Sequence, residues 1–277
     1  MTCCDGLALR NPRSSDKIPQ LLHSELGWPT IPFVRLFEDS LEPPPWATGA
    51  FIGDYFDPAS GRVFLVARPR AQPELWAAYI EGAWLSYRLH GVERAVDYEH
   101  VRDGNSTSLF VAAVEPDGRV VGGARVQGPY TRVEQAYALA EWAGREGTDV
   151  LRRQIEQRLD DGVVEVKAVW VDNTVTRHNE LTAAMARIFV HAMTLSKVRY
   201  AFCTAASHAV PRWQSSGGVV STDVAPVAYP DERYWTLPLW WDRQNVYHSI
   251  SREQGRAILQ ESSQLFQRSS SMWHSVA

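Results

Sequence analysis

Three cysteines in 277 residues (Cys3, Cys4 and Cys203) are too few and too scattered for a disulfide framework. Neither a paired CxxC nor an HExxH motif occurs among them and the eight histidines, so no metal-ligand set is offered and no bound metal is expected. Long apolar runs are missing too. Stretches such as 109–114 fall far short of the roughly 20 residues a bilayer span needs, and the first fifteen residues lack an apolar signal core. No membrane span and a cytoplasmic location are the expectation. Charge of one sign is not in excess: 28 Lys and Arg against 32 Asp and Glu give a net charge of −4. That balance provides no cationic field for nucleic acid or anionic lipid. GxSxG, P-loop and Rossmann glycine signatures are absent, which removes the local marks of α/β-hydrolases, P-loop NTPases and dinucleotide-dependent dehydrogenases.

The content that remains, 45% apolar and 22% charged, is that of a chain with a sizeable core. Residues 1–60 are interrupted by prolines, including Pro43, Pro44 and Pro45 in a row, yet carry Trp28, Phe33, Phe37, Trp46, Phe51, Tyr55 and Phe56. They read as an irregular extension packed on the core. From residue 61 the pattern sharpens. A β-branched run predicts a strand over 62–70, and Pro73 opens a helix whose Trp76, Tyr79, Ile80, Ala83 and Tyr87 share one stripe up to Gly91. Strands over 108–114 and 119–127 are joined by Glu115-Pro116-Asp117-Gly118, a hairpin turn. Helices are predicted over 133–145 and 150–159. In the strand that follows, 163–172, Val164, Val166, Ala168 and Trp170 alternate against Glu165, Lys167, Val169 and Val171. A helix over 181–198 aligns Leu181, Met185, Ile188, Ala192 and Leu195; a strand over 199–205 and a short helix over 209–216 come next. A hairpin-like region, 226–242, turns at Pro230-Asp231, and an amphipathic helix over 252–267 precedes a frayed, Ser-rich tail. The expected division is an extension (1–60), an α/β domain with a mixed, mostly antiparallel sheet flanked by helices (61–245), and a C-terminal helix with its tail (246–277).

That element order, together with the spacing Ala209-x-x-x-Trp213-x-x-x-Gly217, resembles the GNAT acyltransferase superfamily. Ala206 stands where the family has Asn, Trp213 where it has the Tyr that protonates the leaving thiolate, and Gly218 where it has Phe. The family's glycine-rich pyrophosphate loop has its counterpart in 176–181, which contains no glycine. Within the superfamily the chain is similar to the acyl-homoserine-lactone synthases and the long-chain N-acyl amino acid synthases. The residues that carry this likeness are Asp97, Glu99 and Asp103 in an acidic segment, Arg125 after the hairpin, and Glu165 and Asp172 at the two ends of the fourth family strand. There Lys167 and Ala168 replace a Ser and an Arg.

The resemblance implies an N-acyltransferase that moves a medium or long acyl chain from acyl-CoA or acyl carrier protein to a small amine such as an amino acid, by direct attack. The thioester is a co-substrate, and no cofactor is tightly bound. An acetyl-CoA-dependent acetyltransferase and a catalytically silent GNAT-like binding or scaffold protein are the alternatives. Such chemistry needs a base, a proton route and donors at the carbonyl oxygen. Glu165 is the candidate base, or else an ion-pair partner of Lys167. The backbone of Trp170, with Val171 beside it, is the candidate oxyanion donor. Arg177, His178 and Asn179 at a helix start, with Trp213, are candidates for holding the donor. Asp97, Glu99 and Arg125 are candidates for the acceptor, Arg125 through bidentate contact with a carboxylate. Cys203 reads as a buried, inert thiol, and the cluster Tyr234, Trp235, Trp240 and Trp241 as sheet packing or the wall of an acyl tunnel.

Overall fold

The computed structural model describes residues 51–274, with side chains described to residue 265. Strands β1 (Gly53–Asp57) and β2 (Arg62–Ala67) lead into helix α1 (Pro73–Leu89) and a short turn of helix, α2 (Tyr98–Val101). Strands β3 (Leu109–Val114) and β4 (Val120–Gln127) are followed by helices α3 (Ala138–Glu141) and α4 (Thr148–Glu156), then β5 (Val163–Val171), α5 (His178–Ser196) and β6 (Tyr200–Ala206). Helix α6 (Val210–Ser215), strands β7 (Val219–Val220), β8 (Val227–Ala228) and β9 (Trp235–Asp242), and helices α7 (Val246–Ser249) and α8 (Arg252–His274) complete the chain. The sheet runs β1-β2-β3-β4-β5-β6-β9-β7, with β8 also on β9. Every pairing is antiparallel except β5 with β6, which α5 joins as a crossover. This is the mixed, mostly antiparallel α/β sheet that the GNAT resemblance implies.

Local chemistry accounts for most elements. Gly118, at φ 87°, closes the β3–β4 turn by donating its N–H to the Glu115 carbonyl at 2.9 Å. Pro73 starts α1, whose Leu75, Trp76, Tyr79, Ile80 and Ala83 cover one face of the sheet. The stripe of α5 covers the other face, with Leu181, Met185, Ile188 and Ala192 buried there. Helix α8 lies beside α5 and β1.

Three expectations are corrected. Residues 53–57, read as part of the irregular extension, form the edge strand β1; they pair with β2 from Gly53 opposite Val66 to Asp57 opposite Arg62. Residues 1–50 of that extension lie outside the described residues. The helix expected over 133–145 condenses to a single turn at 133–135 and the four-residue α3, because Ala136 is extended at ψ 118° between them and Gly144 leaves the helical region at φ 71° after them. The third correction concerns β5. Its alternation breaks at Ala168, which stands at φ 50°, so that two residues of β5 oppose Ala124 alone on β4. This is a β-bulge, and one extra residue exchanges the faces beyond it. Val164 and Val166 pack toward α5, whereas Ala168 and Trp170 pack toward α1.

Candidate functional site

Around the bulge, β5 runs apart from β6. Parallel pairing of β5 with β6 covers only Val163–Glu165 against Tyr200–Phe202. Beyond that point the strands part around a cavity of about 520 Å³. Lys167 to Val171 form one wall, and Cys203 to Ala206 the other. Met185, Phe189 and Trp213 bound it on the α5 side; Tyr87, Tyr229 and Glu141 bound it on the α1 side.

The bulge is held by phenols. Tyr79 donates its hydroxyl to the Ala168 carbonyl at 2.8 Å, and Tyr87 donates to the Val169 carbonyl at 3.3 Å. On the β4 side, Asp172 donates its N–H to the Val121 carbonyl at 2.8 Å. Alternation from this bond turns the Trp170 amide toward Gly123 of β4 and the Val171 amide toward the cleft, where β6 no longer pairs. The free donor expected at Trp170 is therefore the one at Val171. A backbone N–H at a dry wall can stabilise an oxygen that gains negative charge.

Glu165 is fully buried and does not border the cavity. Its carboxylate accepts from the Tyr130 hydroxyl at 2.8 Å and from the N–H groups of Tyr137 at 2.8 Å and Ala138 at 3.1 Å, capping α3 from another element. Burial pushes its pKa above the usual carboxylate range, against the pull of Lys167 3.6 Å away. The alternative reading of Glu165, a partner of Lys167 on the same strand face, matches this geometry, with the pair buried instead of solvated. Lys167, 8% exposed, ion-pairs more closely with Glu141 and donates to Thr204 Oγ1 at 3.2 Å. Burial opposes the Lys167 charge, but the two carboxylates outweigh it and raise its pKa.

The remaining candidates divide between the cleft and other surroundings. Val171, His178 and Trp213 border the cavity; His178 opens α5, and Trp213 packs edge-on against Phe189. His208 and Arg212 border the same side. Arg177 is exposed and directs its guanidinium to the Pro58 and Ala59 carbonyls at 3.5 and 3.4 Å, and the exposed Asn179 does not border the cleft. Arg125 is 1% exposed inside the sheet, 3.5 Å from Thr107 Oγ1, and is not presented to the cleft. Opposite Phe110 on β3 and Lys167 on β5, it lies on the sheet face that α1 covers. Asp97 and Glu99 border a separate hollow with Glu81, Glu93, Arg94, Trp84 and Tyr98. Tyr234 borders the cleft, while Trp241 stacks on Phe189 at 3.8 Å and Trp240 on Phe202 at 4.7 Å as sheet packing. Burial pushes the Cys203 thiol up, in keeping with an inert thiol.

Sequence reasoning missed Glu141, Tyr87 and Tyr229. A signal for the first was present: a lone carboxylate inside Ala138-Leu139-Ala140-Glu141-Trp142, an apolar segment where burial of a charge demands a partner.

No family model matches the chain. The uncharacterized protein Rv1356c of Mycobacterium tuberculosis (strain ATCC 25618 / H37Rv) is 42% identical over 201 residues, 73% of this chain and 76% of that protein. Among solved structures, the AHL synthase LasI superposes with a TM-score of 0.47 at 14% identity, covering 69% of this chain and 98% of that one. FeeM, an N-acyl amino acid synthase from uncultured soil microbes, superposes with a TM-score of 0.44 at 13% identity, covering 68% and 96%.

Proposed function

The chain belongs to one family with the mycobacterial protein Rv1356c, and from the geometry of its own cleft we propose that it is an N-acyltransferase acting on an acyl thioester and a small amine. The observation that carries this reading is the parting of β5 from β6 at the Ala168 bulge, which turns the Val171 amide into the cleft. A thioester lying along β5 would set its carbonyl oxygen against that amide as the amine attacks directly. His178, at the start of α5, with His208 and Arg212 nearby, would hold the phosphates of coenzyme A or of the phosphopantetheine arm of acyl carrier protein. The donor is a co-substrate that leaves after each turnover. The apolar side chains of Met185, Phe189 and Trp213 suit a medium or long acyl chain better than an acetyl group. The indole N–H of Trp213 is too weak an acid to protonate the thiolate, so that proton must come from the acceptor or from solvent.

The test is a thermal-shift panel with acetyl, octanoyl and palmitoyl groups, each carried on coenzyme A and on acyl carrier protein. A ligand at 100 times its Kd stabilises the fold by about 2.7 kcal/mol. A shift that grows with chain length is expected. A shift with acetyl-CoA alone would mark an acetyltransferase, and no shift with any donor would overturn the reading in favour of a silent GNAT-like scaffold.

A further inference from the structure

Glu141 ends α3 and borders the cleft beside Lys167 of β5, which reaches across to Thr204 of β6. The side chain is 1% exposed. Oε1 accepts from Lys167, but Oε2 is equally shut off from the surface and has no hydrogen-bond partner. A charged oxygen left unpaired out of water is one of the costlier features a fold can carry. Glu165, the other carboxylate of the cluster, is engaged by three donors, so a structural role accounts for all of it. The same role accounts for only one oxygen of Glu141.

The groups facing that carboxylate are Lys167 and Glu165 from β5, Cys203 from β6, Tyr87 from α1, Tyr137 ahead of α3, and Tyr229 between β8 and β9. Tyr87 and Tyr229 border the cavity; burial raises the pKa of both phenols and the Glu141 charge raises it further, against the pull of Lys167 on Tyr87. A carboxylate oxygen without a partner, beside phenols, is an environment for an alkylammonium group, and the Lys167 ammonium already lies over the Tyr137 ring on the same carboxylate.

We infer that Glu141 is the acceptor subsite: its carboxylate turns Oε2 from this buried position toward the cleft it borders, binds a primary amine as its alkylammonium ion and takes one proton from it before attack. This rests on the N-acyl-transfer reading. The neutral nitrogen then attacks the thioester carbonyl carbon, forming the C–N bond. As the intermediate collapses the C–S bond breaks, sulfur leaves with the electron pair, and it receives the second proton from nitrogen. Glu141 returns its proton to solvent, so thioester and alkylammonium become amide, thiol and one proton. Lys167, held by Glu165 and Thr204, keeps the Glu141 carboxylate in place between turnovers and is a positioning residue.

The experiment follows thiol release from octanoyl-CoA with ethanolamine, benzylamine and putrescine as acceptors, in wild type, Glu141→Gln and Glu141→Asp. The octanoyl-CoA thermal shift is measured beside it. Failure of the wild type to bind octanoyl-CoA overturns the acyl-transfer reading and the inference with it. Binding without acylation of any of the amines overturns the amine subsite alone. The expected result is a loss of about 10²-fold or more in kcat/KM for Glu141→Gln near neutral pH. That loss shrinks tenfold per pH unit as the free amine becomes available, and Glu141→Asp retains part of the rate. A Glu141→Gln rate equal to wild type, or a loss that no rise in pH relieves and that follows a lower melting temperature, overturns the inference.

Discussion

Ala168 holds a left-handed backbone conformation without being glycine, and it forms the bulge of β5 against β4 in the stretch that no longer pairs with β6. A non-glycine residue in this region costs on the order of 1–3 kcal/mol, met here by the Tyr79 hydroxyl bound to the Ala168 carbonyl. Ala168→Gly is expected to keep or slightly raise stability in urea unfolding, whereas Ala168→Val, with a β-branched side chain, should lose about 2 kcal/mol or more. Equal midpoints for the two variants would remove the assignment of strain to this residue. Gly82 in α1 is a second such position, because a methyl group there would overlap the Trp170 indole. Alanine is the better helix former by about 1 kcal/mol, but overpacking costs about 1–3 kcal/mol. Gly82→Ala is therefore expected to destabilise and to shift the indole fluorescence. A stabilised variant would mean that the helix moves away from the strand at little cost.

Among elements, α8 is docked by buried polar contacts as well as by Ile258 and Leu265 in the core. Arg187 of α5 donates to Glu261 at 2.7 Å and Gln254 at 2.8 Å of α8 and to Asp57 of β1 at 2.9 Å, while Glu261 also meets His191 Nε2 at 2.7 Å. All five side chains are buried. Gln264 meanwhile pairs with both the N–H and the carbonyl of Phe56, at 2.9 and 3.3 Å, covering an edge strand that would otherwise present open hydrogen-bonding groups. Removing one partner from a buried ion pair costs about 3–5 kcal/mol, and Arg187 keeps two partners here, so Glu261→Ala should lose about 3 kcal/mol. Urea unfolding checks it, and a change below about 1 kcal/mol would mean that the network contributes little beyond apolar packing. The α3–β5 junction obeys the same logic. Glu165→Gln should cost about 1–2 kcal/mol through its lost charge at the α3 cap, with thiol release reduced less than in Glu141→Gln.

For the molecule as a whole, the buried tyrosines set an alkaline limit. Burial raises the phenols of Tyr55, Tyr79 and Tyr130 well above their ordinary value. In the unfolded chain the same groups titrate near pH 10, by the usual phenol value of about 10. Above that pH the folded state binds more protons than the unfolded state, so the unfolding free energy falls as pH rises. Phenolate absorbance of these residues and loss of circular dichroism are expected in one step. If all ten tyrosines ionise while the dichroism persists, the raised phenols are refuted.

The hairpin at Glu115–Gly118 and the buried stripes of α1 and α5 were readable in the chain because turn chemistry and periodicity act between residues close in sequence. Strand β1 was hidden, since its five residues gain strand character only by pairing with β2. The cleft was legible in kind, through the β5–α5–β6 order, but not in its chemistry. Glu165 and Glu141 are both glutamates near apolar residues, and no local pattern says which of them caps a helix and which keeps an oxygen free. Only the folded chain decides that, because α3 comes to rest against the stretch of β5 ahead of the Ala168 bulge, where Lys167 reaches Glu141 and Glu165 meets the start of α3.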